Sequence, residues 1–308
     1  MEPKFTEFKK GTLKFKQNLY YAINNKCTNN CEFCFNKGIN VKQNITAARE
    51  KLKKIIPFIH TVTIGGGEPL MARKNIKLYD DKQYTGNIFD AVMLDCMKYN
   101  NSLNIDVVTS APRKYFFDEY YRGIIYHSHS IIISRHAISD EENSRIFNAE
   151  KKMPLLTVKD IQNLVTHPQY YDNNIRLSCT LGEHGVNSVQ DMRDYIKEAK
   201  KQFGEIDIIF NDLRPNTGNA ANNLIKDFWN EPAFAKHYVS NAGYKTSVLP
   251  QGEGSQKIIL KHYFQNQKEF ELEYQKANYR THDLSLMPDG RLYQTWHNKP
   301  DEEIDFTK

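Results

Sequence analysis

The chain has 308 residues, 40% of them apolar, enough to bury a large core in one barrel-like domain or in two smaller ones. Its 42 basic and 37 acidic residues leave a formal charge of +5, too balanced to argue for a nucleic-acid or membrane-surface protein. No long apolar run suits a spanning helix or a secretory signal, and five cysteines, an odd number, do not make a disulfide framework, so the expected location is the reducing cytoplasm.

In chain order, residues 1–17 set Phe5, Phe8, Leu13 and Phe15 among lysines and read as a leader strand or cover. Asn18 to Asn24 is a short apolar run and so a buried strand, followed at once by a cysteine-bearing loop. Ile45 to Ile56 has Ala47, Leu52, Ile55 and Ile56 at helical spacing, and His60 to Ile64 is a β-branched strand that runs into Gly65-Gly66-Gly67-Glu68-Pro69-Leu70. The alternation continues with a helix over Asn87–Tyr99, a strand over Leu103–Ser110, a helix over Arg113–Gly123 and a strand over His127–Ser134. Helical pieces broken near Pro154 occupy 140–166, before a strand over Asn174–Leu181, a helix over Val186–Gln202 and a strand over Glu205–Asp212. Six strands separated by helices predict an α/β fold, a wound parallel sheet or a partial (β/α)6 barrel over 18–215, with ligands at the strands' carboxyl ends. The rhythm then changes. Residues 221–240 read as helical, and Gln256–Phe264, Lys268–Tyr274, Asp283–Met287 and Arg291–Trp296 as antiparallel strands, the last two joined by Pro288-Asp289-Gly290. The expected division is a leader (1–17), the barrel (18–215) and a C-terminal extension (216–308) that closes one side of it.

Two motifs carry the chemistry. Cys27, Cys31 and Cys34 form a Cys-x3-Cys-x2-Cys run, and thiolates this close in sequence converge on one soft metal centre. A zinc site would want a fourth Cys or His at regular spacing, and no His lies between Thr28 and His60. Three buried structural cysteines are the other alternative. The glycines before Glu68 let backbone approach a ligand closely, and the carboxylate with neighbouring carbonyls can accept from an ammonium group. A phosphate loop would need a nearby Lys-Ser/Thr, which is missing.

Together the cysteine spacing, Phe33 just before the third cysteine and Gly66-Gly67-Glu68-Pro69 resemble the radical S-adenosylmethionine superfamily. That resemblance implies a TIM-like partial barrel and one [4Fe-4S] cluster on Cys27, Cys31 and Cys34, whose open iron takes the amino and carboxylate groups of S-adenosylmethionine. One electron from the cluster then cleaves the cofactor to methionine and a 5′-deoxyadenosyl radical. It also implies cofactor contacts from Phe33, Gly66, Gly67, Glu68, Pro69, Thr109, Ser134 and Arg135, and a flavodoxin or ferredoxin as electron donor. The Arg280–Tyr293 stretch resembles the ends of the molybdenum-cofactor cyclase and peptide-modifying branches, but no cysteine follows Cys179, so the resemblance implies a single cluster. The Cys-x2-Cys-Phe segment is also similar to viperin-type nucleotide dehydratases.

Other residues fall at strand ends, where a substrate would meet the sheet: Arg176, Asn211 and Arg214, with Trp296 in an aromatic cluster of the tail. Arg135, Arg176 and Arg214 favour a nucleotide, whereas the lack of a basic stripe or a separate recognition domain favours a small molecule or a peptide-derived substrate. His136 reads equally as a substrate contact or a hydrogen-bonded structural histidine. Arg176, Ser178 and Thr180 share one face of their strand and Leu177, Cys179 and Leu181 the other, and either face can line the barrel. From a different class, a noncatalytic metal-binding regulator fits the cysteines alone.

Overall fold

The computed structural model describes residues 16–34, 41–72, 76–77, 85–117, 127–148, 153–166, 174–182, 185–212, 236–240, 244–250, 257–263, 271–272, 275 and 280–293. Strands and helices alternate first: β1 (Lys16–Asn24), α1 (Ile45–Ile55), β2 (Thr61–Gly66), a small ribbon of β3 (Ile76–Lys77) and β4 (Thr85–Gly86), α2 (Ile88–Tyr99) and β5 (Asn104–Thr109). There follow α3 (Arg113–Phe116), β6 (Ser130–Ser134), α4 (Asp140–Phe147), α5 (Val158–Thr166), β7 (Asn174–Thr180), α6 (Val189–Phe203) and β8 (Asp207–Asn211). The C-terminal part supplies β9 (Lys236–Ser240), β10 (Tyr244–Pro250), β11 (Lys257–Tyr263), β12 (Arg280–Leu286) and β13 (Leu292–Tyr293).

Helix starts are fixed locally. Asn44, Ser139 and Ser188 cap α1, α4 and α6 with their side chains, and Asn87 and Asp90 form a reciprocal capping box at α2. Each helix can then return the chain to the same end of the sheet, so β1, β2, β5, β6, β7 and β8 lie side by side, every pair parallel. The expected mixed α/β fold with a C-terminal β extension is therefore the one observed.

The extension belongs to the same sheet. β11 runs parallel to β8, β10 and β9 follow antiparallel, and β12 pairs in parallel with both β9 and β1. The ladder order thus returns to its first strand, and the strands enclose an interior.

Alternation along each strand sorts the side chains. Leu19, Tyr21 and Ile23 of β1, Leu177 and Cys179 of β7, and Ile208 and Phe210 of β8 point outward into one core with Leu52, Val92, Met192 and Ala199 of the helices. Arg176, Ser178 and Thr180 point the other way, into the interior cavity, which resolves the face of β7 that the pattern left open.

Two expectations for the tail fail. Lys236–Ser240 is strand β9, not the end of a helix, because Tyr238, Val239 and Ser240 find ladder partners in β10. Residues 271 and 272 are helical inside the expected Lys268–Tyr274 strand, as is residue 275 just beyond it. Glu271 and Leu272 are exposed there, so nothing in a sheet rewards an alternating pattern, and Glu, Leu and Gln are good helix formers. The Pro288–Gly290 turn does form: Gly290 N–H donates to Met287 O at 2.9 Å, and Pro288 O accepts from Asn44 N–H at 2.8 Å. Gly290 sits at φ +90°, and a Cβ there would meet Ala47 C at 2.8 Å, so only glycine lets this turn lie on the start of α1.

Candidate functional site

The interior holds a cavity of about 690 Å³ that reaches the carboxyl ends of the parallel strands. Cys27, Cys31 and Cys34 line it, together with Phe33, Gly66, Gly67, Thr109, Ser134, Arg176 and Asn211. Residues up to 184 positions apart in sequence thus meet around one space. Arg214 and Trp296 lie outside the described residues.

The cysteine loop and the glycine turn are held together by backbone. Gly67 N–H donates to Asn24 O at 2.8 Å and Glu68 N–H to Lys26 O at 2.6 Å. Asn24, buried at the end of β1, completes the staple: its amide donates to Glu68 O at 2.9 Å and its Oδ1 accepts from Lys26 N–H at 2.9 Å. Gly66 lies at φ +119°, and a Cβ on Gly67 would meet Lys26 O at 2.2 Å. The glycines are needed because one backbone packs directly on the other. Tyr20 adds a side-chain contact, its hydroxyl accepting from Gly66 N–H at 2.8 Å. Neither Asn24 nor Tyr20 stood out in the sequence, although an Asn closing a strand is a common signal for a side chain that bonds the backbone two residues on.

On the far side of the loop, Asn30 N–H donates to Phe147 O at 3.1 Å, and Cys31 packs against Phe147 and Leu155. Phe33 stands edge-on to His136 with ring centroids 4.8 Å apart, and His136 lies 4.6 Å from Phe147. His136 is 4% exposed, and burial lowers its pKa to about 3. Its Nδ1 accepts from Thr180 N–H at 3.0 Å, so the neutral ring carries its proton on Nε2.

Glu68 is fully enclosed. Oε1 accepts from Thr109 Oγ1 at 2.6 Å and Leu70 N–H at 3.1 Å, and Oε2 from Ser110 Oγ at 2.6 Å and Ser110 N–H at 2.9 Å. Two donors on each oxygen fill the acceptor capacity of a carboxylate. The side chain therefore ties the end of β2 to the end of β5, while Gly66 and Gly67 present backbone to the cavity. Burial raises the Glu68 pKa against the pull of these donors. Pro69 is buried at the start of a single 3-10 turn.

Arg135 is not brought to the cavity. Its guanidinium donates to Leu156 O at 3.0 Å and to Ile138 O and Asp140 Oδ1 at 2.5 Å each, while Arg135 O accepts from Tyr195 OH at 2.8 Å. It fastens α4 and α5 to the end of β6. Arg176 does face the cavity, 3.5 Å from Asp207. Asn211 donates to Ser178 Oγ at 2.8 Å.

A cluster and its cofactor can be tested against these groups. Among the described residues no three His, Cys, Asp or Glu side chains gather around a point where a single metal ion would sit. A cubane takes each sulfur on a different iron and so keeps its ligands apart, and soft thiolates are the donors it needs. Desolvation raises the Cys27 thiol to about 11, a proton that metal ligation expels. In the same loop Thr28 Oγ1 and both amide atoms of Asn29 are buried without a hydrogen-bond partner, and Asn29 lines the cavity. Buried polar atoms of this kind fit a group that fills the space beside them.

No family model matches the chain, and no curated protein matches it. Solved structures do. SuiB of Streptococcus suis bound to the precursor peptide SuiA has a TM-score of 0.57 at 12% identity, over 91% of this chain and 59% of that one. SuiB alone gives 0.56 at 12% identity, over 92% and 62%. TsrM of Kitasatospora setae, a radical S-adenosylmethionine methyltransferase with tryptophan and aza-SAM bound, gives 0.43 at 13% identity, over 66% and 37%. The SuiB matches show a shared fold, and this chain spans about three-fifths of SuiB's length.

Proposed function

We propose that this chain is a radical S-adenosylmethionine enzyme in which Cys27, Cys31 and Cys34 hold one [4Fe-4S] cluster and the Gly66–Gly67 backbone, with Phe33, Thr109 and Ser134, holds the cofactor. The observation that carries this reading is the backbone staple between the cysteine loop and the glycine turn, both on the wall of one cavity. When bound, cluster and cofactor supply a hydrogen-abstracting radical by one-electron cleavage of the sulfonium, the electron coming from a flavodoxin or ferredoxin.

The protein's own residues do the rest. Asn24 and Tyr20 fix the glycine turn, and Glu68 fixes Thr109 and Ser110 beside it, so backbone carbonyls rather than the occupied Glu68 carboxylate receive the cofactor's ammonium. Thr109 is 2% exposed, its hydroxyl oriented by Glu68. His136, neutral and wedged between Phe33 and Phe147, holds the aromatic that faces the cofactor. A small-molecule or peptide-derived substrate is favoured over a nucleotide, since the Arg135 guanidinium is engaged by two carbonyls and Asp140.

The test is anaerobic reconstitution followed by iron and sulfide analysis. Wild type is expected to hold about four of each. Single alanine replacements of Cys27, Cys31 and Cys34 are expected to lose the cluster. One tightly held zinc without sulfide, or an intact cluster in all three variants, contradicts the reading.

A further inference from the structure

The charged side chains on the cavity wall already have partners in the protein. Asp106 accepts from Ser130 Oγ at 2.6 Å, Arg176 lies 3.5 Å from Asp207, Asp283 accepts from Asn18 Nδ2 at 2.7 Å, and Asp212 and Lys261 interact within the protein as well. A charged ligand group would have to displace one of these partners and leave it desolvated. What the wall still offers is hydrogen bonding to neutral groups.

That capacity gathers at the ends of β7 and β8. Ser178, Thr180 and Asn211 all line the cavity, Thr180 and Asn211 as register partners. Asn211 Nδ2 donates to Ser178 Oγ at 2.8 Å, and among the described residues neither side chain makes another hydrogen bond, nor does the Thr180 hydroxyl make one. The single bond leaves both members incomplete. The Ser178 hydroxyl keeps its proton to give, and Asn211 Oδ1 keeps its lone pairs. With the amide turned the other way, Ser178 donates to Oδ1, and its own lone pair and the Nδ2 protons stay open. In either orientation the pair presents a donor beside an acceptor and carries no charge.

We infer that Ser178 and Asn211, with Thr180 beside them, bind a primary carboxamide of the substrate, such as the side chain of an asparagine or glutamine residue. A carboxamide sets a carbonyl and an N–H on one carbon, so it meets the donor and the acceptor of the pair together, and its second N–H suits the Thr180 hydroxyl. A carboxylate has no proton for the open acceptor. Ile209 and Ile259, register partners that also line the cavity, lie two residues back along their strands from Asn211 and Lys261 and receive the methylenes that carry the amide. On the other side, Ser178 is the register partner of Ser134, one of the proposed cofactor contacts. The inference rests on the reading above and deepens it, since it names the substrate group held one strand away from that contact.

Calorimetry on the reconstituted full chain tests this with the N-acetyl amides of L-asparagine, L-glutamine, L-glutamate, L-methionine and L-threonine, whose backbones are identical, and with uridine, whose base also sets an N–H beside a carbonyl. The asparagine or the glutamine probe is expected to bind about ten-fold more tightly than every other. Asn211→Leu and Ser178→Ala are each expected to remove that preference, while Ser178→Thr, which keeps the hydroxyl, retains it. Melting curves of all variants are compared, and the ranking of probes on wild type stands whether or not a variant folds. Equal or tighter binding of the glutamate, methionine or threonine probe or of uridine, an unchanged Kd for the carboxamide in a folded Asn211→Leu protein, or no binding of any probe overturns the inference. Iron, sulfide and deoxyadenosine yield are measured on the same preparation. If these are present without carboxamide selectivity, the inference fails alone, and if they are absent while the selectivity holds, the functional reading fails and the amide site stands.

Discussion

Gly67→Ala puts one methyl group where the cysteine loop crosses the glycine turn. The new Cβ would lie 2.2 Å from Lys26 O, 2.7 Å from Lys26 C and 2.9 Å from Asn25 C, all of them backbone atoms. Ordinary contact is about 3.5 Å, so Lys26 has to retreat by more than about 1 Å. The 2.6 Å bond from Glu68 N–H to Lys26 O would stretch beyond hydrogen-bond range, and the 2.8 Å bond from Gly67 N–H to Asn24 O would suffer with it. Overpacking of this kind costs about 1–3 kcal/mol and each lost bond about 1 kcal/mol, so the assembled loop is disfavoured by roughly 3 kcal/mol, about two orders of magnitude. The outward core is untouched. Iron and sulfide content after reconstitution is therefore expected to collapse while far-ultraviolet circular dichroism and a cooperative melt persist. A Gly67→Ala protein with full cluster content and wild-type cofactor cleavage would refute the staple.

Burial of His136 sets a pH dependence. Its pKa is lowered to about 3 in the fold against 6.5 unfolded, so the unfolded chain binds the extra proton between those values. Stability is lost as pH falls below about 6.5, by roughly 2 kcal/mol at pH 5, and urea midpoints of wild type and His136→Gln are expected to converge as pH drops. An imidazole resonance for His136 that titrates near pH 6.5 contradicts this. Glu68 has the opposite sign: its raised pKa means that its contribution is present below about pH 4.5 and declines as pH rises through the folded value. Relative to Glu68→Gln, wild type is expected to lose stability over that rise, measured by urea unfolding at a series of pH values. Arg135→Met removes the donor from two carbonyls and an aspartate and is expected to cost about 3 kcal/mol in denaturant unfolding, with cluster content retained in the folded fraction. A neutral result there would mean that the guanidinium does not fasten α4 and α5.

What could be read from sequence was local. Cys27, Cys31 and Cys34 and the Gly66–Pro69 turn announce themselves by spacing, and the six parallel strands by β-branched runs between amphipathic helices. What could not be read depends on partners far along the chain. Glu68 looks like a ligand group until Thr109 and Ser110, about forty residues on, are seen to fill both of its oxygens. Arg135 ends a strand, as a substrate contact would, but its guanidinium turns outward under α4 and α5. The inward face of β7 was ambiguous because Ser178, Thr180 and Arg176 are as plausible on a solvated face as on a polar cavity wall. β9 and β10 were missed because a strand that lives by its ladder partners leaves a weak trace in five or seven residues.

Deoxyadenosine yield is the most direct measurement. Wild type, reconstituted without air, reduced and given S-adenosylmethionine, is expected to release methionine and 5′-deoxyadenosine, and Cys31→Ala none. Equal yields from the two proteins, or none from a wild type shown to carry iron and sulfide, would contradict the assignment of the three cysteines and the glycine turn to one cofactor site.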